Sequence, residues 1–180
     1  MTAWYYWPDY WEPESKAKGP VSLQELVELI KTSQIKDNSY ICRQGEDDWR
    51  EADIVPEILA EIPIDSKGLA EAYISAASNE KWPEELWWVW EKLYRLAEHV
   101  PQTAFEVIVQ ITILDPPDEV LNYVGAAPLE NLLALHGEAM IEKIEGEAKQ
   151  NPRLRTCLAG VWRSTISDEV WERVKKAVGE

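Results

Sequence analysis

The sequence has few of the residues on which many enzymes and metal sites depend. Its 180 residues include two cysteines and two histidines. Cys42 and Cys157 lie far apart, so we expect neither a disulfide framework nor a paired-cysteine zinc site. His99 and His136 are not part of an HExxH motif, and the sequence has no glycine-rich phosphate loop or nucleophile elbow. We therefore predict a non-enzymatic protein without cofactor or metal; an enzyme acting on a small molecule is the weakest alternative.

Long apolar runs are also missing. The most apolar run, residues 107–114, is far shorter than the roughly 20 residues that a membrane-spanning helix needs. The first residues contain no basic segment followed by an apolar one, so we expect no secretory leader. These absences predict a cytoplasmic protein that has no membrane partner.

Basic residues are few: the sequence has 18 of them against 33 acidic residues, which gives a net charge of −15. The charge is shared, because residues 1–62 carry 13 acidic and 6 basic residues and the remainder carry 20 and 12. This balance leaves no basic surface for nucleic acid. It is typical of a soluble protein or of one with a basic partner. One hypothesis for the function is therefore an acidic immunity or inhibitor protein that neutralises a basic toxin or effector.

A capping box organises the first third of the chain. Ser22 stands three residues before Glu25, the spacing at which the two side chains satisfy backbone N–H groups at a helix start. Apolar residues then recur with helical spacing, which predicts a helix over residues 23–32 that packs against an aromatic strand at residues 4–7. A strand at 39–43 and a second helix at 53–61 complete a small α+β domain over residues 1–62.

This part of the sequence resembles the bacterial GYF-like domain, the second type of the GYF family. The residues that carry the resemblance are Trp4-Tyr5-Tyr6, Gly19-Pro20-Val21, Leu26, Ile35, Gly45 and Trp49-Arg50-Glu51-Ala52. GYF domains are adaptor modules that bind proline-rich peptides in an aromatic groove. The resemblance implies the same kind of partner here, because an extended polyproline ligand is already ordered and flat aromatic walls hold it at low entropic cost.

The chain departs from the founding motif of that family at several positions. Val21 stands in place of a phenylalanine, Leu29 in place of a tryptophan, and Ser33-Gln34-Ile35 in place of the Gly-Tyr-Phe triplet. Leu26 replaces a methionine.

We predict a peptide-binding surface on the residues that remain. Its predicted members are Trp4, Tyr6, Trp7, Trp11, Pro20, Val21 and Trp49. Trp4 and Trp49 fit a hydrophobic core equally well, and Pro20 fits a turn. Trp7, Tyr10 and Trp11 lie in or beside a charged loop over residues 8–18, which either exposes an aromatic patch or folds back over the groove.

Residues 63–68 are a predicted linker, and prolines mark helix starts beyond it. The predicted helices are 69–78, 84–99, 102–114, 118–123, 129–136, 138–149, 153–163 and 168–178. The connections are short, so we expect antiparallel packing in a HEAT-like array or a compact bundle. In the helix 84–99 we expect Leu86, Trp90, Leu93 and Ala97 to face the core. Trp87 or Trp88 is then left for an interface, either with the first domain or with a partner.

The segment from Gly125 to Leu133, together with His136-Gly137, resembles the central motif of an uncharacterised bacterial helical family. The resemblance covers about the last hundred residues and implies a fold but no activity. Glu130 and His136 are too far apart for one helical face, so each is either a helix-end residue or a buried polar residue.

We therefore predict an adaptor in which residues 1–62 bind an extended or proline-containing peptide segment. A helical domain over residues 69–180 serves as its scaffold.

Overall fold

The computed structural model describes residues 2–10, 12 and 14–179. It contains two compact units, Met1–Ile64 and Asp65–Glu180. The first helix of the second unit begins at Ser66, inside the segment that we predicted as a linker. The described secondary structure confirms the predicted fold class, a small α+β domain followed by an all-α domain.

The first unit is built on an antiparallel sheet with the strand order β2-β1-β3-β4. Its strands are β1 (Ala3–Tyr6), β2 (Lys18–Ser22), β3 (Tyr40–Arg43) and β4 (Arg50–Glu51).

Strands β2 and β4 were not predicted. Proline is tolerated in β2 because an edge strand does not need every N–H for pairing. Gly19 has a φ of +124°, and a Cβ atom there would lie 2.6 Å from the Trp4 carbonyl oxygen, so this strand requires glycine.

Two helices cover one face of the sheet and close its core. Helix α1 (Leu23–Lys31) begins at the predicted capping box: the Ser22 N–H donates to Glu25 Oε2 over 2.8 Å, and the Glu25 N–H donates to Ser22 Oγ over 3.2 Å. A single 3₁₀ turn (Ala52–Ile54) precedes α2 (Pro56–Glu61). The core residues are Trp4, Leu26, Val27, Ile30, Ile35, Ile41, Ala52, Val55 and Ile58. The prediction that α1 packs on the aromatic strand is confirmed.

All regular secondary structure that the structure describes in the second unit is helical. Its helices are α3 (Ser66–Ala77), α4 (Trp87–His99), α5 (Pro101–Ile113), α6 (Asp118–Val124), α7 (Glu130–Ala148), α8 (Pro152–Ala159) and α9 (Asp168–Val178). Helix α8 ends four residues earlier than predicted, at the residue before Gly160.

Helices α6 and α7 are joined without a loop by a π-helical segment, Gly125–Leu129, where we predicted a helix start. Pro128 has no N–H to donate and lies inside this wider turn, where the regular α-helical bonding is already interrupted. Helix α7 is interrupted at His136, which has a φ of −131°, one residue before the predicted break. Gly125 lies against the end of α8, where a Cβ atom would come within 2.2 Å of the Cys157 carbonyl oxygen.

The aromatic residues of α4 depart from the predicted orientation. The buried stripe is Val89, Leu93, Leu96 and Ala97, whereas Trp90 is half-buried and stacks between Trp87 and Tyr94. Trp90 was expected in the core, but the stripe that starts at Val89 holds smaller side chains that pack closely. Trp87 and Trp88 are exposed by 47% and 52%. The interface predicted for them stays a prediction.

Alanine substitutions at two glycines of the helical unit should change its free energy of unfolding in opposite directions. We expect Gly125→Ala to lower the free energy of unfolding by about 1–3 kcal/mol, because the added methyl meets a backbone carbonyl that cannot move freely. In Gly146→Ala the methyl meets nothing within 4 Å, so the variant should be more stable by about 0.5–1 kcal/mol. Urea unfolding of both variants measures this, and equal effects would contradict the close helix contact at Gly125.

The capping box makes a prediction about pH. Hydrogen bonds from the Ser22 backbone and side chain hold the pKa of Glu25 below its usual value. The contribution of the carboxylate to the cap is therefore complete above the usual glutamate pKa and is lost as pH falls through the lowered value. Ser22→Ala should raise the Glu25 pKa part of the way, since the backbone N–H remains, and Ser22→Thr should leave it low. Carbon-detected NMR titration measures both; an unshifted Glu25 in the unsubstituted chain would contradict the cap.

Candidate functional site

Strand β1 directs its aromatic residues to opposite faces of the sheet. Successive side chains in a strand alternate, so Trp4 and Tyr6 share the face that the helices cover. Trp4 is only 4% exposed, and Tyr6 packs against the same core. The Arg43 guanidinium carbon lies 5.3 Å from the centroid of the Trp4 ring. The helix-covered face is therefore occupied by the protein's own core.

The other face carries a group of four rings that we call the aromatic cluster: Trp7, Tyr10, Tyr40 and Trp49. Trp7 meets Tyr10 and Trp49 edge to face, with ring centroids 5.3 and 5.4 Å apart, and Tyr10 lies 4.7 Å from Tyr40. Edge-to-face contacts of this kind hold aromatic rings in fixed orientations. The cluster is thus a defined surface rather than a set of independent side chains.

Backbone pairing positions three members of the cluster. The Trp7 N–H donates to the Tyr40 carbonyl over 2.8 Å, which extends the β1–β3 pairing by one residue. Tyr40 lies opposite Glu51 of β4, and Trp49 comes just before that strand. The ends of three strands therefore meet at this part of the sheet.

The cluster is partly open to solvent. Tyr10 is 46% exposed, and Trp7, Tyr40 and Trp49 are half-buried. The indole Nε1 of Trp7 is buried and has no acceptor among the described residues. A surface of half-buried indole and phenol rings offers flat apolar walls together with polar edges, and both are needed to hold a peptide.

The seven residues predicted for the peptide surface lie in different parts of the structure. Trp7 and Trp49 lie together in the aromatic cluster. Trp4, Tyr6 and Val21 pack with the core instead, because the pleat directs them to the helix-covered face. We leave these three out of the candidate site.

Pro20 is exposed on the edge strand β2, and no described ring contact links it to the cluster. The predicted member Trp11 lies outside the described residues. Tyr10 was predicted as part of an aromatic patch at the loop but not as a member of the peptide surface, and Tyr40 was not predicted for either. The period-two alternation of β1 and β3 was the signal that could have identified Tyr40.

Charged side chains near the cluster are mostly paired with each other. Arg43 pairs with Glu57, and Arg50 Nε donates to Asp48 Oδ2 over 2.7 Å. The Cys42 thiol belongs to β3, directly before Arg43, and its burial raises its pKa, which keeps it protonated and unreactive. Among the described residues, no group of three or more His, Cys, Asp or Glu side chains is arranged to hold a metal ion.

The polar residues of the second unit connect helices. Glu130 Oε2 accepts a bond from the Trp162 N–H over 3.3 Å, and the His136 ring nitrogen Nε2 lies 2.8 Å from the Glu98 carbonyl oxygen, to which it donates. A Cβ atom on Gly137 would come within 2.8 Å of the Val170 side chain. The motif from Gly125 to Gly137 therefore contacts several parts of the helical unit, and packing accounts for its residues.

These observations define a small α+β module with an aromatic face, followed by a helical domain. Comparison with known proteins matches residues 4–58 to a family described as GYF domain 2 and residues 76–180 to a family of unknown function, DUF6869. The second match covers more than half of the chain, so the chain belongs to the DUF6869 family, and it carries a GYF-type domain before that region.

Both resemblances inferred from the sequence are thereby confirmed. Comparisons with curated proteins and with solved structures give no match. No described helix is both long and apolar enough to cross a membrane. The acidic-inhibitor alternative and the cytoplasmic location stay predictions.

Trp4 and Trp49 make a matched test of core against surface. We expect Trp4→Ala to destabilise the first unit by about 3–5 kcal/mol, the usual cost of removing a buried tryptophan. Trp49→Ala removes a half-buried ring and should cost about 1 kcal/mol. Hydrogen exchange of the β3 amides in the full chain reports on this unit separately from the helical one. Similar losses in both variants would contradict the division between core and cluster.

Proposed function

We propose that the first unit binds an extended, proline-containing peptide segment on the aromatic cluster, and that the helical unit serves as its scaffold. The observation that carries the proposal is the contact of Trp7, Tyr10, Tyr40 and Trp49 on the sheet face away from the core. The match to GYF domain 2 supports a role in protein interaction.

The chemistry of the cluster suits a polyproline-type ligand. Such a segment has no internal hydrogen bonds and is already extended, so it loses little entropy on binding. Proline rings pack on flat aromatic walls, and backbone carbonyls of the ligand accept bonds from phenol and indole donors. The fixed edge-to-face geometry means that the protein surface also loses little freedom.

The site differs in position from the founding motif of the GYF family. The segment that replaces the Gly-Tyr-Phe triplet contributes Ile35 to the core, where it is 5% exposed, and leaves Ser33 and Gln34 at the surface. Aromatic contacts to a ligand would therefore come from the loop after β1 and from the region of β3 and β4. We expect binding to depend on Tyr40 and Trp49.

The test titrates a panel of proline-rich peptides into the full-length chain and follows the indole and backbone resonances by NMR. We expect shifts at Trp7, Tyr40 and Trp49. Trp49→Ala and Tyr40→Ala should each weaken binding by about tenfold or more, since a central aromatic residue commonly contributes 1–2 kcal/mol or more.

Trp88→Ala is the matched control, because it removes an exposed indole from the helical unit. Peptides with every proline replaced by alanine should bind more weakly. The proposal fails if no peptide in a diverse panel shifts the cluster, or if Trp88→Ala weakens binding as much as Trp49→Ala.

A further inference from the structure

A cleft at one end of the helical unit carries an unusual concentration of positive charge. It is formed by the last turns of α7 and α9 together with α8, and we call it the α7–α9 cleft. Its lining residues are Glu145, Ala148, Lys149, Arg155, Lys176 and Ala177. The partly exposed Ala177 provides a small apolar surface, Ala148 is buried, and three cationic side chains share the lining.

The one carboxylate in this lining is already neutralised. Arg173 holds Glu145 through two bonds, from Nε to Oε1 over 2.9 Å and from Nη2 to Oε2 over 2.6 Å. This hydrogen-bonded pair is the main reason that the pKa of Glu145 is lowered, and the charges of Lys149 and Lys176 lower it further. The carboxylate therefore stays ionised; Arg173 forms its ion pair, and Lys149 and Lys176 are close enough to interact with its charge.

The three cations of the lining form no direct ion pair with a described carboxylate. Lys149 and Lys176 form no ion pair with a described carboxylate, in contrast to the adjacent Lys175, which pairs with Glu172 over 2.6 Å. Arg155 donates one bond, over 2.6 Å, to the Ala148 carbonyl. That bond fixes the guanidinium at the cleft and leaves most of its five N–H groups available. Like charges held this close favour an anion between them.

The concentration of charge is notable because the unit is acidic. Residues 65–180 contain 20 acidic and 12 basic residues. A cleft lined by three cations that form no ion pair with a described carboxylate therefore differs from the acidic average charge of the unit. The carbonyl ends of α7 and α9 favour lysines in the last turns. Arg155, which belongs to α8, also binds the carbonyl end of α7 through Ala148, and this bond holds its guanidinium at the cleft.

We propose that the α7–α9 cleft binds the phosphate group of a small molecule. Three positive charges favour an anion of nearly two negative charges over a singly charged carboxylate, because the attraction scales with the product of the charges. The planar guanidinium fork of Arg155 matches two phosphate oxygens, and the two ammonium groups act as point charges. Ala177, which is partly exposed, is placed to contact the carbon part of the molecule. This site is separate from the peptide surface of the first unit.

The test uses the full-length chain and amide NMR at constant ionic strength. We expect inorganic phosphate to shift Ala148, Lys149, Arg155 and Lys176 in a saturable way, and acetate to shift them less at equal concentration. Phenyl phosphate should bind more tightly than inorganic phosphate because it adds contact with Ala177. Lys176→Ala should weaken phosphate binding about fivefold, which is the upper effect of one screened surface charge.

Lys175→Ala is the control, because it removes the same charge from the next residue of the same helix. Lys149→Ala provides a second test if Lys176→Ala fails to fold. The proposal is overturned if acetate and phosphate act equally, if the shifts do not saturate, or if Lys175→Ala weakens binding as much as Lys176→Ala. Equal affinities for phenyl phosphate and inorganic phosphate would overturn the role of Ala177.

Discussion

The burial of Trp4 between the sheet and its two helices fixes the orientation of every residue in β1. Side chains alternate along a strand, so once Trp4 faces the core, Tyr6 does as well, and Trp7 must face away. A slip of one residue would expose the core residue and bury the surface residue, at a cost of several kcal/mol. The aromatic cluster is therefore a consequence of core packing, although its residues contribute little to the core.

The same constraint explains why a GYF-type fold persists without the triplet that names the family. The fold needs an apolar side chain after α1, and Ile35 supplies it. It also needs a firm start to that helix, which the Ser22–Glu25 capping box provides. Neither requirement is aromatic. Recognition residues can then differ in position from the founding motif, because the folding determinants and the ring cluster occupy opposite faces of one sheet.

The sequence predicted the local features of the chain better than the long-range ones. Prolines beside acidic residues mark helix starts, and the capping box follows from two side chains three residues apart, so both were predicted. Strand β2 was missed because it contains Gly19 and Pro20 and depends on pairing with a strand more than ten residues away. Tyr40 was missed for the same reason, since its contact with Tyr10 depends on the register of β1 and β3. The π-helical segment before α7 depends on close packing against α8, which no local pattern encodes.

In the helical unit the distinctive motif and the proposed phosphate cleft lie in different places. The segment from Gly125 to Gly137 is explained by close backbone approach at its two glycines and by polar bonds between helices, so its residues are already engaged. Charged side chains that form no ion pair with a described carboxylate lie instead at the helix ends, at Lys149 and Lys176.

The two candidate sites also rest on different forces. Ring contacts in the first unit are short-range and depend little on salt, whereas the cleft acts through exposed charges that salt screens within about 10 Å at 0.1 M. The two proposed sites therefore differ in how strongly their ligand binding should depend on salt.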